Sequence, residues 1–335
     1  MAALVASAAV AILLLALLLP GVYCYAKLFK RPYRSLNYAL ERCLARGDFS
    51  SSLLDLGWKD FCLPSGRGFY LRGSLLAAAD PEAPIVLLLH GIGWNRFEAL
   101  KYAPAFIRQG WSVVALDLAG HGASEAPRRA FPSFGVHEKH DIAAVVAWLG
   151  SALPQASALG IVGESLGAAT ALQYAAIAQR GSGEGAVAKP PLAFIVADCS
   201  FSSLNAQCEH RFAAAGLPKI LFRPALALAS ALCSAFRGFS LDQADPLQGV
   251  ASLRVPVLFI HGEADDFVPP RMSVEMHEAL IGSGGRSELY LVPGAAHAKS
   301  YSTDPVAWEK RAIAFASAAI ASMEDGLSTH SAPSA

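Results

Sequence analysis

Ser165 sits in Gly163-Glu164-Ser165-Leu166-Gly167, directly behind the apolar run Ala158-Leu159-Gly160-Ile161-Val162 and ahead of the helix-like Ala168-Ala169-Thr170-Ala171-Leu172-Gln173-Tyr174. Gly-x-Ser-x-Gly becomes a nucleophile elbow only where a buried strand passes at once into a helix, and this stretch has that context. The two glycines let strand and helix approach without a Cβ clash, and the serine occupies a strained turn. The chemistry on offer is acyl transfer. A serine hydroxyl at its ordinary pKa is a poor nucleophile, so a histidine must take its proton and an acid must orient that histidine.

Both partners have candidates downstream. The apolar run Val255-Pro256-Val257-Leu258-Phe259-Ile260 leads into His261-Gly262-Glu263-Ala264-Asp265-Asp266, placing acids just past a predicted strand end. Asp265 and Asp266 are both open at this point. Leu289-Tyr290-Leu291-Val292 leads through Pro293-Gly294-Ala295-Ala296 to His297, the loop histidine the scheme needs. Upstream, Ile85-Val86-Leu87-Leu88-Leu89 ends in His90-Gly91-Ile92-Gly93, where small residues expose backbone N–H groups. The N–H of Leu166 and that of Ile92, with Gly93 as the alternative, are the expected donors to a developing oxyanion.

These residues need a scaffold that brings strand ends together. From Ile85 onward, apolar runs of strand length alternate with helical stretches at Phe97–Arg108, Glu138–Leu153, Leu166–Gln179, Arg271–Ile281 and Pro305–Ser322. This predicts an α/β fold with a mostly parallel sheet flanked by helices on both faces. Sites in such sheets collect at the carboxyl ends of the strands, where Ser165, Asp265, His297 and Ile92 all fall. Phe69–Leu76 begins the sheet in a hairpin-like pattern. Residues 201–244 interrupt the alternation between strands six and seven as a small, strongly apolar helical cap. Lys219, Arg223 and the prolines are expected to break its longer apolar run, and Ala225–Phe236 is too short to span a membrane.

The order and spacing of these signals resemble an α/β-hydrolase-fold serine hydrolase over roughly residues 59–323. Asp117-Leu118-Ala119-Gly120-His121-Gly122-Ala123-Ser124 matches that family's loop after the fourth strand. Val196-Ala197-Asp198-Cys199-Ser200-Phe201 and His297-Ala298-Lys299-Ser300-Tyr301 are similar to runs in poorly characterised, single-pass membrane-anchored bacterial members. The resemblance implies Ser165, His297 and Asp265 as a triad, Asp265 being selected over Asp266 by the family pattern Gly-x-x-Asp-x-x-Val-Pro, with Asp198 as the alternative acid because some members of the fold take it from the end of the sixth strand. It implies no cofactor and no metal, with His90, His121 and His261 fixing loops.

Outside the hydrolase region, residues 2–22 carry no charge and are long enough to cross a bilayer. Residues 1–26 therefore read as a transmembrane helix or signal anchor, 27–58 as a polar helical neck lifting the domain off the bilayer, 59–325 as the hydrolase domain and 326–335 as a disordered tail. Lys27, Lys30, Arg31 and Arg34 follow the apolar run, which by the positive-inside rule puts the catalytic domain on the cytoplasmic side. Cleavage after Ala26 would export it instead. The six cysteines lack Cys-x-x-Cys spacing, and Cys199 with Cys208 is the pair considered for an exported form. Formal net charge is zero and no basic run interleaves with aromatics, which argues against nucleic acid. The expected function is a membrane-anchored serine hydrolase acting on carboxylic esters or related acyl bonds of a small or lipid-like substrate. A serine peptidase of the same fold and an inactive membrane scaffold are the alternatives.

Overall fold

A computed structural model describes residues 1, 7, 18–30, 33–127, 131–181 and 190–330. Eight strands make one sheet: β1 (Lys59–Pro64), β2 (Tyr70–Leu76), β3 (Ile85–Leu89), β4 (Ser112–Asp117), β5 (Leu159–Glu164), β6 (Leu192–Asp198), β7 (Val257–Gly262) and β8 (Ser287–Val292). Their spatial order is β1-β2-β4-β3-β5-β6-β7-β8. β1 and β2 form an antiparallel hairpin, β2 pairs antiparallel with β4, and every later pairing is parallel.

The helices are α1 (residues 18–29), α2 (Leu36–Arg46), α3 (Arg96–Ala99), α4 (Ala103–Ile107), α5 (Glu138–Ala152), α6 (Leu166–Gly181), α7 (Leu204–Ala214), α8 (Phe222–Arg237), α9 (Pro246–Val250), α10 (Arg271–Gly282), α11 (Ser300–Thr303) and α12 (Pro305–His330). The central strands are apolar on both faces because helices cover both. Leu87, Leu89 and Ile161 pack with α5, α6 and α10, while Val86, Leu88 and Val162 pack with α4 and α12 on the other side. Each fully buried aliphatic side chain contributes about 1.5 to 3 kcal/mol, so these strands hold the frame rigid beneath the site.

Four expectations need revision. The neck is not a stalk: Ala39 and Cys43, four apart on α2, are buried with Phe49 and Leu53 against the α3 and α4 face. Phe97–Arg108 is not one helix but α3, a 3₁₀ turn at Leu100–Tyr102 and α4. The cap run is broken at Gly216–Pro218, between α7 and the 3₁₀ turn at Lys219–Leu221, but not at Pro224, which lies in the first turn of α8, where its missing N–H costs nothing. The stretch Lys219–Arg237 is long and apolar enough by composition to cross a membrane, yet Ala225, Leu226, Ala229 and Cys233 bury one face of it on the body. Finally α12 runs on past Gly326 to His330, through the first half of the expected tail.

Most of the predicted membrane span, and the Gly-rich loop of residues 182–189, lie outside the described residues. The described part of that span, α1, docks on the cap. Cys24 and Leu28 are buried, the Sγ atoms of Cys24 and Cys208 lie 3.5 Å apart, and the Arg237 guanidinium sits 4.2 Å over the Phe29 ring. Cys208 therefore faces Cys24 rather than Cys199.

Candidate active site

β5 ends at Glu164, α6 begins at Leu166, and Ser165 between them has φ +51°. A non-glycine residue held there costs about 1 to 3 kcal/mol, which the packed strand and helix on either side supply. The two glycines are sterically required. A Cβ at Gly163 would lie 2.5 Å from the Ala168 nitrogen, and one at Gly167 would lie 2.4 Å from the Leu89 carbonyl oxygen. Among the described residues four non-glycines have positive φ: Phe134, Ser165, Cys199 and Ala298. Two are the nucleophile candidate and a wall of its cavity, one follows Asp198 and one follows His297.

His297 Nε2 lies 3.1 Å from Ser165 Oγ, and His297 Nδ1 lies 2.6 Å from Asp265 Oδ2. These distances fit an N–H donated to the carboxylate and a bare Nε2 able to accept the serine proton. Asp265 Oδ1 accepts from the N–H groups of Phe267 (3.0 Å) and Val268 (2.8 Å). Burial works against its charge, but hydrogen bonds from His261 and His297 and the Val268 N–H outweigh it and hold the carboxyl well below the usual range. His261 donates from Nε2 to the Val268 carbonyl (2.8 Å), with Asp265 Oδ2 at 3.2 Å, and Ser273 Oγ lies 2.7 Å from its Nδ1.

The other two acids are elsewhere. Asp266 turns outward, its carbonyl accepting from His210 (2.8 Å). Asp198 lies beneath the elbow, where its carbonyl accepts the Ser165 N–H (2.8 Å) and its carboxylate accepts from Tyr102 (3.2 Å) and Trp308 (3.1 Å). The donors to that carboxylate are thus side chains.

Leu166 opens α6, so its N–H is among the first four that a helix cannot pair internally. Ile92 follows in the turn Gly91–Trp94, beside the serine: a Cβ on Gly91 would lie 3.7 Å from that of Ser165. His90 fixes this loop, donating from Nδ1 to the Gly91 carbonyl (2.8 Å) and accepting at Nε2 from the Leu118 N–H (3.0 Å). Burial pushes its pKa far down, which keeps the ring neutral for both bonds.

A cluster that sequence reasoning missed lies under the elbow. Glu164 is buried, ion-paired with Lys101 and accepting from the Tyr102 hydroxyl (3.0 Å). Glu98 is buried beside it; burial and the Glu164 charge push its pKa well up, leaving it neutral. Burial, then Glu164, lifts Asp198 to about 6. Burial disfavours the Lys101 ammonium, yet the Glu164 carboxylate keeps it charged. Cys199, Asp265 and His297 bring three ligand-type atoms within 4.8 Å, but Asp265 and His297 spend theirs on each other, and burial holds the Cys199 thiol protonated.

Ser165, Leu166 and Ile92 open into a cavity of about 840 Å³ walled by Phe134, Phe201, Phe212, Leu217 and Val268. One wall is α1, through Leu19, Pro20, Cys24 and Leu28.

Comparison with known proteins agrees with this architecture. The family model for the alpha/beta hydrolase fold matches residues 84–188, and that for the prolyl oligopeptidase family matches residues 236–322. The uncharacterised protein YqkD of Bacillus subtilis is 31% identical over 251 residues, 75% of this chain and 76% of that one. The chain belongs to the α/β-hydrolase family. Another relative of this α/β hydrolase, the uncharacterised Rv2307c of Mycobacterium tuberculosis, is 28% identical over 74% of this chain and 75% of that one. Among solved structures, the Pyrococcus furiosus esterase Pf2001 superimposes with a TM-score of 0.58 at 21% identity, covering 80% of this chain and 93% of that one. The Pyrococcus horikoshii acylaminoacyl peptidase gives 0.55 at 18% identity, over 76% of this hydrolase and 39% of the peptidase. At these identities the two structures speak to fold alone.

Proposed function

We propose that this α/β hydrolase is a membrane-anchored serine hydrolase that cleaves carboxylic esters of a lipid-like or small acyl substrate. The observation that carries the reading is the unbroken hydrogen-bond chain from Ser165 through His297 to Asp265, opening into an apolar cavity. Ser165 Oγ attacks the ester carbonyl carbon as His297 Nε2 takes its proton, and Asp265 stabilises the imidazolium. The carbonyl oxygen gains its negative charge against the N–H groups of Leu166 and Ile92, donors of a kind worth about 3 to 4 kcal/mol each. Collapse expels the alcohol with the proton from His297. Water then attacks the acyl-enzyme through the same base and frees the acid, with no cofactor required.

Residues 1–26 anchor the enzyme, and the cations after them favour a cytoplasmic catalytic domain. Retention of the segment is supported by α1, whose Cys24 and Leu28 are buried against the body. Cleavage after Ala26 would take away part of the cavity wall.

The test is Ser165→Ala, expected to abolish ester turnover while leaving the circular dichroism spectrum and unfolding midpoint in place. Retained turnover in that variant would sink the assignment. A peptidase is the second reading, favoured by the prolyl oligopeptidase match over residues 236–322. Matched ester and anilide substrates separate the two, the ester reading requiring faster ester cleavage. An inactive scaffold would turn over neither.

A further inference from the structure

We propose that the substrate of this hydrolase is an anionic amphiphile: an ester with a long apolar half and, on the short side of the scissile bond, a phosphate or carboxylate. The proposal rests on the serine-hydrolase reading and names the substrate class for that site.

The cavity lining is polarised. The apolar wall away from its cations comes from α1 and the cap, through Leu19, Pro20, Leu217 and Pro218. Among the described residues its charged lining is Lys27, Lys30 and Arg211 alone, all exposed, with no aspartate or glutamate among the lining residues. None of the three pairs with a carboxylate among the described residues. Instead the Lys27 ammonium lies 5.3 Å over the Tyr23 ring and the Arg211 guanidinium 5.1 Å over the Phe267 ring, contacts that leave both able to take an anion.

Their position is at the reacting end. The Phe267 ring beneath Arg211 is itself 5.0 Å from the His297 ring, centroid to centroid. Lys27 and Lys30 sit at the end of α1, and the chain just beyond it is tied to the oxyanion loop, Arg34 giving both its backbone N–H (3.1 Å) and its guanidinium (3.2 Å) to the Gly93 carbonyl. Leu19 and Pro20 lie at the other end of the helix, eight residues or about 12 Å back from Lys27. A substrate reacting at Ser165 thus meets cations beside the ester and apolar wall further away. An apolar chain along that wall leaves the water around it, and the head keeps its charge in a partly wet, cationic mouth.

Two chemistries share this pattern: an anion in the alcohol half, as in an acylglycerol phosphate, or in the acyl half, as in an alkyl hemisuccinate. The test uses the full chain in neutral detergent with dissolved octanoyl glycerol, octanoyl glycerol phosphate and monooctyl succinate, reading kcat/KM for each. At least one anionic ester is expected to exceed the neutral one by about tenfold at low salt, and the better of the two locates the charge. The excess should shrink towards parity at about 1 M salt, where screening acts over about 3 Å. In the combined variant Lys27→Glu, Lys30→Glu, Arg211→Glu the preference should invert, with fluorophosphonate labelling of Ser165 reporting that the variant is folded.

Equal kcat/KM for neutral and anionic esters in the unmutated enzyme overturns the proposal while leaving the hydrolase reading intact. So does charge reversal that weakens only binding to anionic vesicles, which would assign the cations to bilayer headgroups. Absence of all ester turnover together with absence of labelling overturns the hydrolase reading, and this proposal with it.

Discussion

Ser165 is held on its strained turn from below by groups that never meet substrate. Its N–H is bonded to the Asp198 carbonyl, and the residue before it, Glu164, is a buried carboxylate satisfied by Lys101 and Tyr102. Removing the cation from such a pair strands a charge in low dielectric, a change that costs about 3 to 5 kcal/mol. Lys101→Met is therefore expected to lower stability by about that much in denaturant unfolding, and adding Glu164→Gln should restore much of it. A single-variant loss below about 1 kcal/mol, the scale of an exposed pair, would contradict this. Asp198 makes a pH-dependent contribution. Its folded pKa of about 6 lies above the unfolded value of about 3.9, so the folded chain binds the proton more tightly. Its contribution to stability is thus fully present below about pH 4 and declines as pH rises to about 6. Two units correspond to about 3 kcal/mol, and Asp198→Asn should remove that slope. Parallel stability curves for the two proteins between pH 4 and 6 would refute it.

The same residues show where sequence reading reaches and stops. Ser165, Asp265, His297 and Ile92 were legible because each follows its own apolar run within a few residues, so local order places them at one sheet edge. Lys101 was not, since its partner Glu164 is 63 positions away and nothing in the local pattern around Leu100-Lys101-Tyr102 marks a buried ammonium. Trp308 reaches Asp198 across 110 positions for the same reason: the pairing comes from packing of α12 beneath the sheet, which periodicity does not encode.

At the scale of elements, the parallel sheet and the cap between β6 and β7 follow from the alternation of apolar runs, whereas the fate of α1 and α2 did not. α2 reads as polar, and only its docking shows that Ala39 and Cys43 form a narrow buried stripe. α1 reads as the end of a bilayer segment, yet it crosses α8 at Gly21, where a Cβ would meet the Ala225 carbonyl oxygen and Leu228 Cβ, both at 2.8 Å. Gly21→Leu is expected to force α1 off the cap and open one wall of the cavity. Its kcat/KM for a decanoyl ester should fall at least tenfold while acetyl ester turnover, which needs little wall, changes less than threefold. Equal losses on both esters would mean that α1 contributes nothing to chain binding.

For the whole molecule, α1, cap and elbow form one connected unit. α1 touches the cap through Cys24 and Cys208, and the chain beyond it touches the Gly91–Trp94 turn through Arg34 and Gly93. Leu18, Leu19, Val22, Ile220 and Phe236 are large apolar side chains left exposed on α1 and the cap, the same end of the molecule as the cavity wall. On the proposed function, substrate enters from the bilayer side and its ester is attacked by Ser165. That attack is the central claim, and trapping the covalent adduct tests it most directly. A fluorophosphonate incubated with the full chain, followed by proteolysis and mass spectrometry, should place one adduct on the peptide containing Ser165, formed far more slowly in His297→Ala. No adduct, or an adduct on another residue, would contradict the account.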